Sequence, residues 1–309
     1  MKKDFLTFDD LLRTEIFKIL DSAEHLKKKP YGHQLKDKTI VLFFQNHSDL
    51  SRVTFETGIK QLGGNVILLD EKTTNQTFDG VTLEDFTRFL NKYANAIIAS
   101  VYSHETLEIM SKITDIHVIN ALSNLAYPCQ ILSDLFTIKE KFGDFKGVKL
   151  TYVGDGKNVC NSLLLGCAKV GIDINVACPK GFEPSSDFIH RAIDYSKISK
   201  CDINIMEDPV EAVKDANIIY NDTFISMGDE KEKEKRLQAF LPTYQVNQKL
   251  LNYAASDVLY MHCLPAHRGE EVTYDVIDGP RSIVWDQAEN RLHAQKALLV
   301  KMMGRKQFY

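Results

Sequence analysis

Short apolar segments alternate with longer amphipathic segments along the first half of the chain. Residues 38–44, 65–69 and 96–99 are nearly continuous apolar runs, and the segments between them carry apolar residues every three or four positions. A continuous apolar run is typical of a strand that is buried on both faces, as in a parallel sheet, and the longer spacing is typical of an amphipathic helix. The pattern therefore predicts an α/β fold with a doubly wound parallel sheet.

The same alternation continues beyond Lys146-Gly147, which marks the predicted start of a second unit. Further strands are predicted at residues 148–153, 173–177, 203–206, 218–220, 258–261 and 282–285, and a closing helix at 287–301. We therefore expect two α/β domains of the doubly wound type with a cleft between them. The first domain is predicted to span residues 1–145 with a C-terminal segment 288–309, and the second to span residues 146–287.

Composition and charge exclude several classes of protein. The 309 residues include 38 Lys and Arg and 42 Asp and Glu, a net charge of −4 with no basic run, so nucleic acid is not an expected partner. No apolar stretch approaches the ~20 residues of a membrane span, and no apolar stretch follows Lys2 and Lys3 as in a secretory signal. The six cysteines form no C-x-x-C pair, which argues against a zinc site and favours a reducing, cytoplasmic compartment.

Candidate site residues follow the predicted strands, at the sheet edge where α/β proteins bind ligands. Gly154-Asp155-Gly156 resembles the start of a dinucleotide fingerprint, but Val159 stands where a third glycine is needed, so an NAD site is not expected. The turn nevertheless places Asn158 at a helix N-terminus. Cys263 follows the strand at 258–261, where it is either an inert core residue or part of a site.

Two features of the second domain allow more than one interpretation. Asp222 follows the strand at 218–220, and it could cap a helix or bind the ammonium group of a ligand. The charged run at residues 229–235 is interpreted as a solvated helix face that is supported by ion pairs one turn apart.

Three long motifs in the same order together resemble the ornithine carbamoyltransferases. They are Asp222 with Ser226-Met227-Gly228, then His262-Cys263-Leu264-Pro265-Ala266-His267-Arg268-Gly269, then Asp286-Gln287-Ala288-Glu289-Asn290-Arg291. The similarity extends over nearly the whole chain, and the Ser-Met-Gly loop separates the ornithine enzymes from the aspartate enzymes of this superfamily. The resemblance implies a homotrimer in arginine metabolism, with no metal or organic cofactor.

The resemblance also implies which residues bind the amino-acid substrate, L-ornithine or a close analogue. Asn158, Asp222, Ser226 and Met227 match the positions that hold ornithine, and Cys263 matches the cysteine at the reaction centre. The expected catalytic residues are Cys263, Arg291, which would reach the electrophile, and Gln130.

The expected electrophile pocket departs from the family pattern, and it comprises Ser48, Asp49, Leu50, Ser51, Arg52, Ser100, Tyr127, Gln130 and Arg291. The family sequence S-T-R-T-R reads Ser48-Asp49-Leu50-Ser51-Arg52, so Leu50 replaces the arginine that grips the phosphate. Ser100 replaces a second arginine, and Tyr127 replaces the histidine of H-P-x-Q. Since a charged hydrogen bond contributes roughly 1.5–3 kcal/mol, these losses should weaken carbamoyl phosphate binding by on the order of 10³-fold.

Three hypotheses follow for the reaction. In the first, the protein is a transferase of specialised biosynthesis that moves an acyl-type group from a donor other than carbamoyl phosphate to the δ-amine of ornithine; this second substrate is unknown. In the second, the protein is a non-catalytic ornithine-binding regulator or partner subunit. In the third, it is an ordinary ornithine carbamoyltransferase in which Arg52, Arg291 and a helix N-terminus replace the lost anchors.

Overall fold

The structure is a computed structural model that describes residues 4–45, 49–70, 80–226 and 228–304. Its described residues divide into two compact units. Unit 1 contains the chain up to Phe136 and from Asn290 onward, and unit 2 is Thr137–Glu289. Two predicted site residues, Ser48 and Met227, lie outside the described residues.

Unit 1 is built on a four-stranded parallel sheet. Its strands are β1 (Thr39–Phe44), β2 (Asn65–Leu69), β3 (Ala96–Ser100) and β4 (His117–Leu122), in the order β2-β1-β3-β4. Its helices are α1 (Arg13–Lys28), α2 (Asp49–Gln61), α3 (Leu83–Leu90), α4 (His104–Ile113) and α5 (Pro128–Phe142), the last of which continues into unit 2. Every residue of β1 from Ile40 onward is buried, as the continuous apolar run predicted.

Unit 2 is built on a five-stranded parallel sheet in the order β7-β6-β5-β8-β9. Its strands are β5 (Lys149–Val153), β6 (Asp173–Ala177), β7 (Ile203–Met206), β8 (Ile218–Asn221) and β9 (Leu259–His262). Its helices are α6 (Asn158–Val170), α7 (Ser186–Ser199), α8 (Pro209–Ala212), α9 (Lys233–Phe240), α10 (Gln248–Leu251), α11 (Tyr274–Ile277) and α12 (Val284–Met303), which continues into unit 1. Both sheets are entirely parallel, which confirms the predicted fold class.

The strand order reverses once in each sheet, and this reversal marks the position where open α/β sheets bind their ligands. In unit 1 the chain leaves β1 on one side towards β2 and returns on the other side to β3. In unit 2 the same reversal lies between β5 and β8. Ligands of open α/β sheets bind beyond the carboxyl ends of the strands at such points, because the two following loops diverge there.

Two predicted elements differ from the structure. The predicted strand at 282–285 is wrong, because Ser282 makes only a single bridge to Tyr260 and α12 begins at Val284. The first long helix begins at Arg13 rather than at residue 8, because the carboxylate of Asp10 accepts hydrogen bonds from the backbone of Leu6 and Thr7 and closes a separate 3₁₀ turn. The functional domain limits near residues 145 and 288 stay a prediction. Among the described helices, none combines the length and the apolar character of a membrane span.

A buried lysine of α12 holds three parts of unit 1 together. Lys296 is 0% exposed, and its Nζ donates to the carbonyl oxygen of Pro30 at 3.1 Å and to Oε1 of Gln61 at 2.8 Å. A third contact joins Nζ to the carbonyl oxygen of Leu26 at 3.4 Å. Burial of the ammonium group lowers the pKa of Lys296 to about 8 from its ordinary value of 10.5.

Replacement of Lys296 by methionine should change how stability depends on pH. Between the lowered pKa and the ordinary one, the unfolded chain holds a proton on Lys296 that the folded chain lacks, so stability rises with pH. We expect the free energy of unfolding of the wild type to rise by about 1–2 kcal/mol more than that of Lys296→Met between pH 7.5 and 9.5. Urea denaturation at a series of pH values measures it, with the exposed Lys112→Met as the control; equal pH dependence in all three proteins would contradict it.

Candidate active site

A tight turn after β5 places Asn158 at the first position of α6. Gly156 is required in this turn, because a Cβ atom there would lie 2.2 Å from the backbone nitrogen of Pro184. Gly154 has a φ of 144°, a conformation that side chains disfavour. Asn158 is half-buried and its Oδ1 accepts from the backbone N–H of Val159 at 2.9 Å. The N-terminus of α6 thus stands at the carboxyl edge of the second sheet, as the sequence predicted, and it follows β5, one of the two strands at the reversal point.

Asp222 and Cys263 are brought together by the neighbouring strands β8 and β9. The Sγ atom of Cys263 donates to Oδ1 of Asp222 at 3.0 Å, and Cys263 is 6% exposed. Of the two interpretations of Asp222, this contact favours a place in a site, since Asp222 begins no helix. A carboxylate beside a thiol at a strand end can accept a proton or bind the ammonium group of a ligand.

The ring of His262 fixes the turn that carries Cys263. Its Nδ1 accepts from the backbone N–H of Leu264 at 2.9 Å, and its own backbone N–H donates to Oε1 of Gln287 at 2.9 Å. Leu264 has a φ of 56°, an unusual conformation for a residue other than glycine. The hydrogen bond that the ring accepts from Leu264 stabilises this unusual backbone conformation.

Two clusters among the described residues have the spacing of metal ligands, and we assign a metal to neither. One is Asp222 with His262 and Cys263, and the other is His267 with Glu270 and Glu271. Because Nδ1 of His262 accepts a backbone proton, a neutral ring carries its own proton on Nε2, which faces Oε1 of Glu271 at 3.4 Å. Neither ring nitrogen of His262 then offers a lone pair to a metal ion.

A group of four charged side chains lies beside Asn158 and was missed by the sequence analysis. We call Asp155, Lys157, Asp229 and Arg236 the ion-pair network. Arg236 is 3% exposed and pairs with the carboxylate of Asp155, while its Nε donates to the carbonyl oxygen of Phe224 at 2.7 Å. Burial raises the pKa of Asp155 to about 6, although the guanidinium of Arg236 acts in the opposite direction.

The charged run at 229–235 is therefore only partly a solvated helix face. The side chain of Asp229 is 14% exposed, and it faces Lys157 rather than solvent. The helix of this region, α9, begins only at Lys233, after a 3₁₀ turn. The sequence of the run did not indicate that Asp229 pairs with Lys157, because Lys157 lies 72 residues away in the sequence.

In unit 1 the structure brings together three of the predicted electrophile-pocket residues. Arg291 is 3% exposed, and its Nη2 donates to Oγ of Ser51 at 2.8 Å and to Oη of Tyr127 at 3.0 Å. The two hydroxyl oxygens lie 3.3 Å apart, and the guanidinium carbon is 5.9 Å from the centre of the Tyr127 ring. Tyr127, the residue that replaces the family histidine, therefore contacts the retained arginine directly.

The other predicted pocket residues of unit 1 lie in different surroundings. Arg52 is exposed, and its Nε lies 3.6 Å from a carboxylate oxygen of Glu56. Gln130 is buried and donates to Oδ1 of Asp134 at 2.8 Å. Ser100 is fully buried at the carboxyl end of β3.

The N-terminus of α2 combines a negative and an apolar side chain. Asp49 is its first residue and is exposed, and Leu50 is 46% exposed. The positive potential of a helix N-terminus attracts anions. A carboxylate in the first turn offsets part of that potential and repels a second anion. The described part of this pocket is thus less cationic than one with arginine at positions 50 and 100.

Comparison with known proteins shows the same organisation over the whole chain. Residues 3–140 match the family model described as "Aspartate/ornithine carbamoyltransferase, carbamoyl-P binding domain", and residues 146–302 match the model for the "Asp/Orn binding domain". The ornithine carbamoyltransferase of Methanosarcina mazei is 46% identical over 98% of this chain and 100% of its own length. That of Bacillus subtilis is 47% identical over 96% of this chain and 92% of its own length.

Solved structures agree with these relatives. The ornithine carbamoyltransferase of Pyrococcus furiosus superposes with a TM-score of 0.93 at 46% identity, covering 97% of both chains. That of Giardia lamblia superposes with a TM-score of 0.89 at 31% identity, covering 98% of both chains.

The fold, the family models and the relatives thus define a transferase of the carbamoyltransferase type. The chain belongs to the aspartate/ornithine carbamoyltransferase family. Both conclusions confirm what the three motifs predicted. The role of each individual site residue stays a prediction.

Removal of the Tyr127 hydroxyl should destabilise unit 1. Tyr127→Phe deletes one acceptor of the buried Arg291 guanidinium, and a hydrogen bond to a charged group contributes roughly 1.5–3 kcal/mol. Because Ser51 still accepts from the same nitrogen, we expect a loss near the lower end, about 1–2 kcal/mol in the free energy of unfolding. Urea denaturation measures it against Tyr102→Phe, an exposed tyrosine of the same unit; equal stability of the two variants would argue against the bond.

Proposed function

We propose that the protein binds L-ornithine in unit 2 and transfers an acyl-type group to its δ-amine. Asn158, Asp222, Ser226, Met227 and Cys263 are the proposed ornithine-binding residues, and the match of residues 146–302 to an "Asp/Orn binding domain" supports this. Two of these residues are in direct contact: the thiol of Cys263 donates to the carboxylate of Asp222 at 3.0 Å. A carboxylate is suited to orient an amine, and the thiol to lie beside the carbon that is attacked.

The proposed reaction is an ordinary acyl transfer. The lone pair of the deprotonated δ-nitrogen forms a bond to the acyl carbon, the bond from that carbon to its leaving group breaks, and the leaving group departs with the electron pair. The amine proton is released from the product nitrogen. Arg291 and Gln130 are the proposed groups that stabilise charge on the acyl oxygen, as donors of this kind do in acyl transfer.

The contact of Arg291 with Tyr127 carries the proposal for the donor. The guanidinium nitrogen Nη2 is held by two neutral hydroxyl groups at 2.8 and 3.0 Å. With Asp49 and Leu50 at the start of α2 and Ser100 at the end of β3, the pocket suits a donor that carries less negative charge than carbamoyl phosphate. We propose that the donor is such an acyl compound and that its use belongs to specialised biosynthesis.

Carbamoyl phosphate is the second candidate for the donor. The identity of 46% to a curated ornithine carbamoyltransferase and the match of residues 3–140 to a "carbamoyl-P binding domain" favour it. In that case the protein is an ordinary ornithine carbamoyltransferase, and Arg52 and Arg291 bind the phosphate group in place of the missing arginines. We further propose the domain limits 1–145 with 288–309 and 146–287, a homotrimeric assembly and a cytoplasmic location.

Ornithine binding can be measured without knowledge of the donor. Isothermal titration should give heat of binding with L-ornithine, weaker binding with L-lysine, whose chain is one methylene longer, and none with L-aspartate, whose side-chain carboxylate would face Asp222. The titrations should be repeated with carbamoyl phosphate present, because a donor that binds first can complete the site. Preference for aspartate under both conditions would contradict the proposed substrate.

Restoration of the family residues should restore the use of carbamoyl phosphate. We expect the wild type to form little citrulline from ornithine and carbamoyl phosphate. The variant Asp49→Thr, Leu50→Arg, Ser100→Arg, Tyr127→His should form it at least ~10²-fold faster, because two arginines and a histidine again contact one ligand. Single substitutions should recover little, since groups that hold the same ligand act together.

A second variant, without the Ser100→Arg substitution, controls for misfolding. Ser100 is fully buried, so arginine at this position could disturb the fold, and the triple variant without it serves as the matched control. Thermal denaturation checks that each variant is folded. Citrulline formation by the wild type as fast as by a folded variant would favour the second candidate, and a folded variant that still forms none would contradict the proposed role of these positions.

A further inference from the structure

We propose that Asp229 is a positioning residue that ties the two halves of the ornithine site together through an ion pair with Lys157. This inference rests on the proposed binding of ornithine in unit 2. Neither Asp229 nor Lys157 is itself a proposed substrate contact, and each acts through a neighbour that is one.

Asp229 joins two loops that come from opposite sides of the reversal point of the second sheet. Lys157 directly precedes Asn158 at the start of α6, after β5, and its Nζ donates to Oδ1 and Oδ2 of Asp229 at 2.6 and 2.5 Å. Ser226 lies on the loop after β8, and its backbone N–H donates to Oδ2 of the same carboxylate at 3.2 Å. One side chain therefore fixes both a neighbour of Asn158 and Ser226 itself.

The backbone around Asp229 closes the loop further. The N–H of Asp229 donates to the carbonyl oxygen of Ser226 at 3.0 Å, and its own carbonyl oxygen accepts from Glu232 at 2.8 Å. Among the charged residues of 228–232 whose side chains are described, Lys231 and Glu232 are exposed and Asp229 is turned inward. Without the carboxylate, the turn would keep its backbone bonds but lose its attachment to Lys157.

Arg236 supports the ion pair between Asp229 and Lys157 from the buried side. Its Nε lies 3.6 Å from Oδ2 of Asp229, and the same guanidinium pairs with the buried carboxylate of Asp155. Its guanidinium carbon lies 5.1 Å from the centre of the Phe182 ring and 5.8 Å from that of the Phe240 ring. Because Arg236 is 3% exposed, it cannot follow Asp229 into solvent, and the ion pair is held against the core.

The physical consequence is preorganisation of the amino-acid site. A loop that must be ordered when a ligand binds weakens the affinity by the free energy of ordering, whereas a loop already held in place does not. Lys157 is 38% exposed and Asp229 14%, so the pair is shielded enough to resist competition from water and salt better than a surface pair. Disruption of the pair should therefore weaken ornithine binding more than it weakens the fold.

A double-mutant cycle on the whole chain tests the inference. We expect Asp229→Asn and Lys157→Gln each to lower ornithine affinity about tenfold in isothermal titration, and the double variant to lose no more than the larger single effect. Asp229→Glu, which keeps the charge, should recover part of the loss. Asp194→Asn, which removes the exposed pair with Lys197 in the same unit, is the matched control and should bind as the wild type does.

The outcomes separate this inference from the proposed function. If the wild type binds no ornithine with or without a donor, the proposed substrate is wrong and the cycle is repeated with the amino acid that does bind. If the wild type binds ornithine and folded Asp229→Asn or Lys157→Gln binds equally well, the positioning role is wrong. Additive losses in the double variant would also overturn it, because they would mean that the two side chains act independently.

Discussion

The reversal of strand order within each parallel sheet is the constraint on which both candidate sites depend. A parallel sheet delivers the carboxyl ends of all its strands to one edge, and only where the order reverses do two neighbouring loops turn away from each other. In unit 2 this point lies between β5 and β8, so Asn158 and Asp222 belong to the two diverging loops. In unit 1 it lies between β1 and β3, beside the start of α2 and Ser100. The strand order of the two sheets thus indicates the positions of both candidate sites independently of the side chains.

The contrast between the two sites lies in how each handles charge. In unit 1, the buried guanidinium of Arg291 is held by the hydroxyl groups of Ser51 and Tyr127. These hydroxyl oxygens satisfy part of the hydrogen-bonding capacity of a buried guanidinium, which would be costly to bury without partners. In unit 2, by contrast, the Asp155, Lys157, Asp229 and Arg236 side chains pair acids with bases beside the loop that carries Ser226. The described contacts of Arg291 are thus with hydroxyl groups, whereas those of the unit 2 network are between opposite charges.

Family membership and pocket chemistry answer different questions about this protein. The relatives share its fold and its order of elements over nearly the full chain, and that similarity establishes the family and the class of enzyme. Overall identity is an average over some three hundred positions and depends little on three or four of them. In an enzyme, the choice of donor depends on the few groups that contact the reacting atoms, because transition-state stabilisation comes from those groups. We therefore propose that the choice of donor depends on Asp49, Leu50, Ser100 and Tyr127.

The sequence by itself determined the fold class, most of the strands and the family. Apolar runs buried on both faces and amphipathic segments of period 3.6 are local signals, and the three long motifs are read directly from the chain. It also singled out Tyr127 and Arg291, because each stands in a recognisable motif. What it could not decide were contacts between distant positions: that Tyr127 holds Arg291, 164 residues away, that Cys263 donates to Asp222, and that Asp229 of the charged run turns inward to Lys157. The sequence of a charged run is the same whether its side chains are solvated or paired, so a solvated face is the default interpretation. Only the tertiary structure decides which side chains of a turn contact water and which contact an opposite charge.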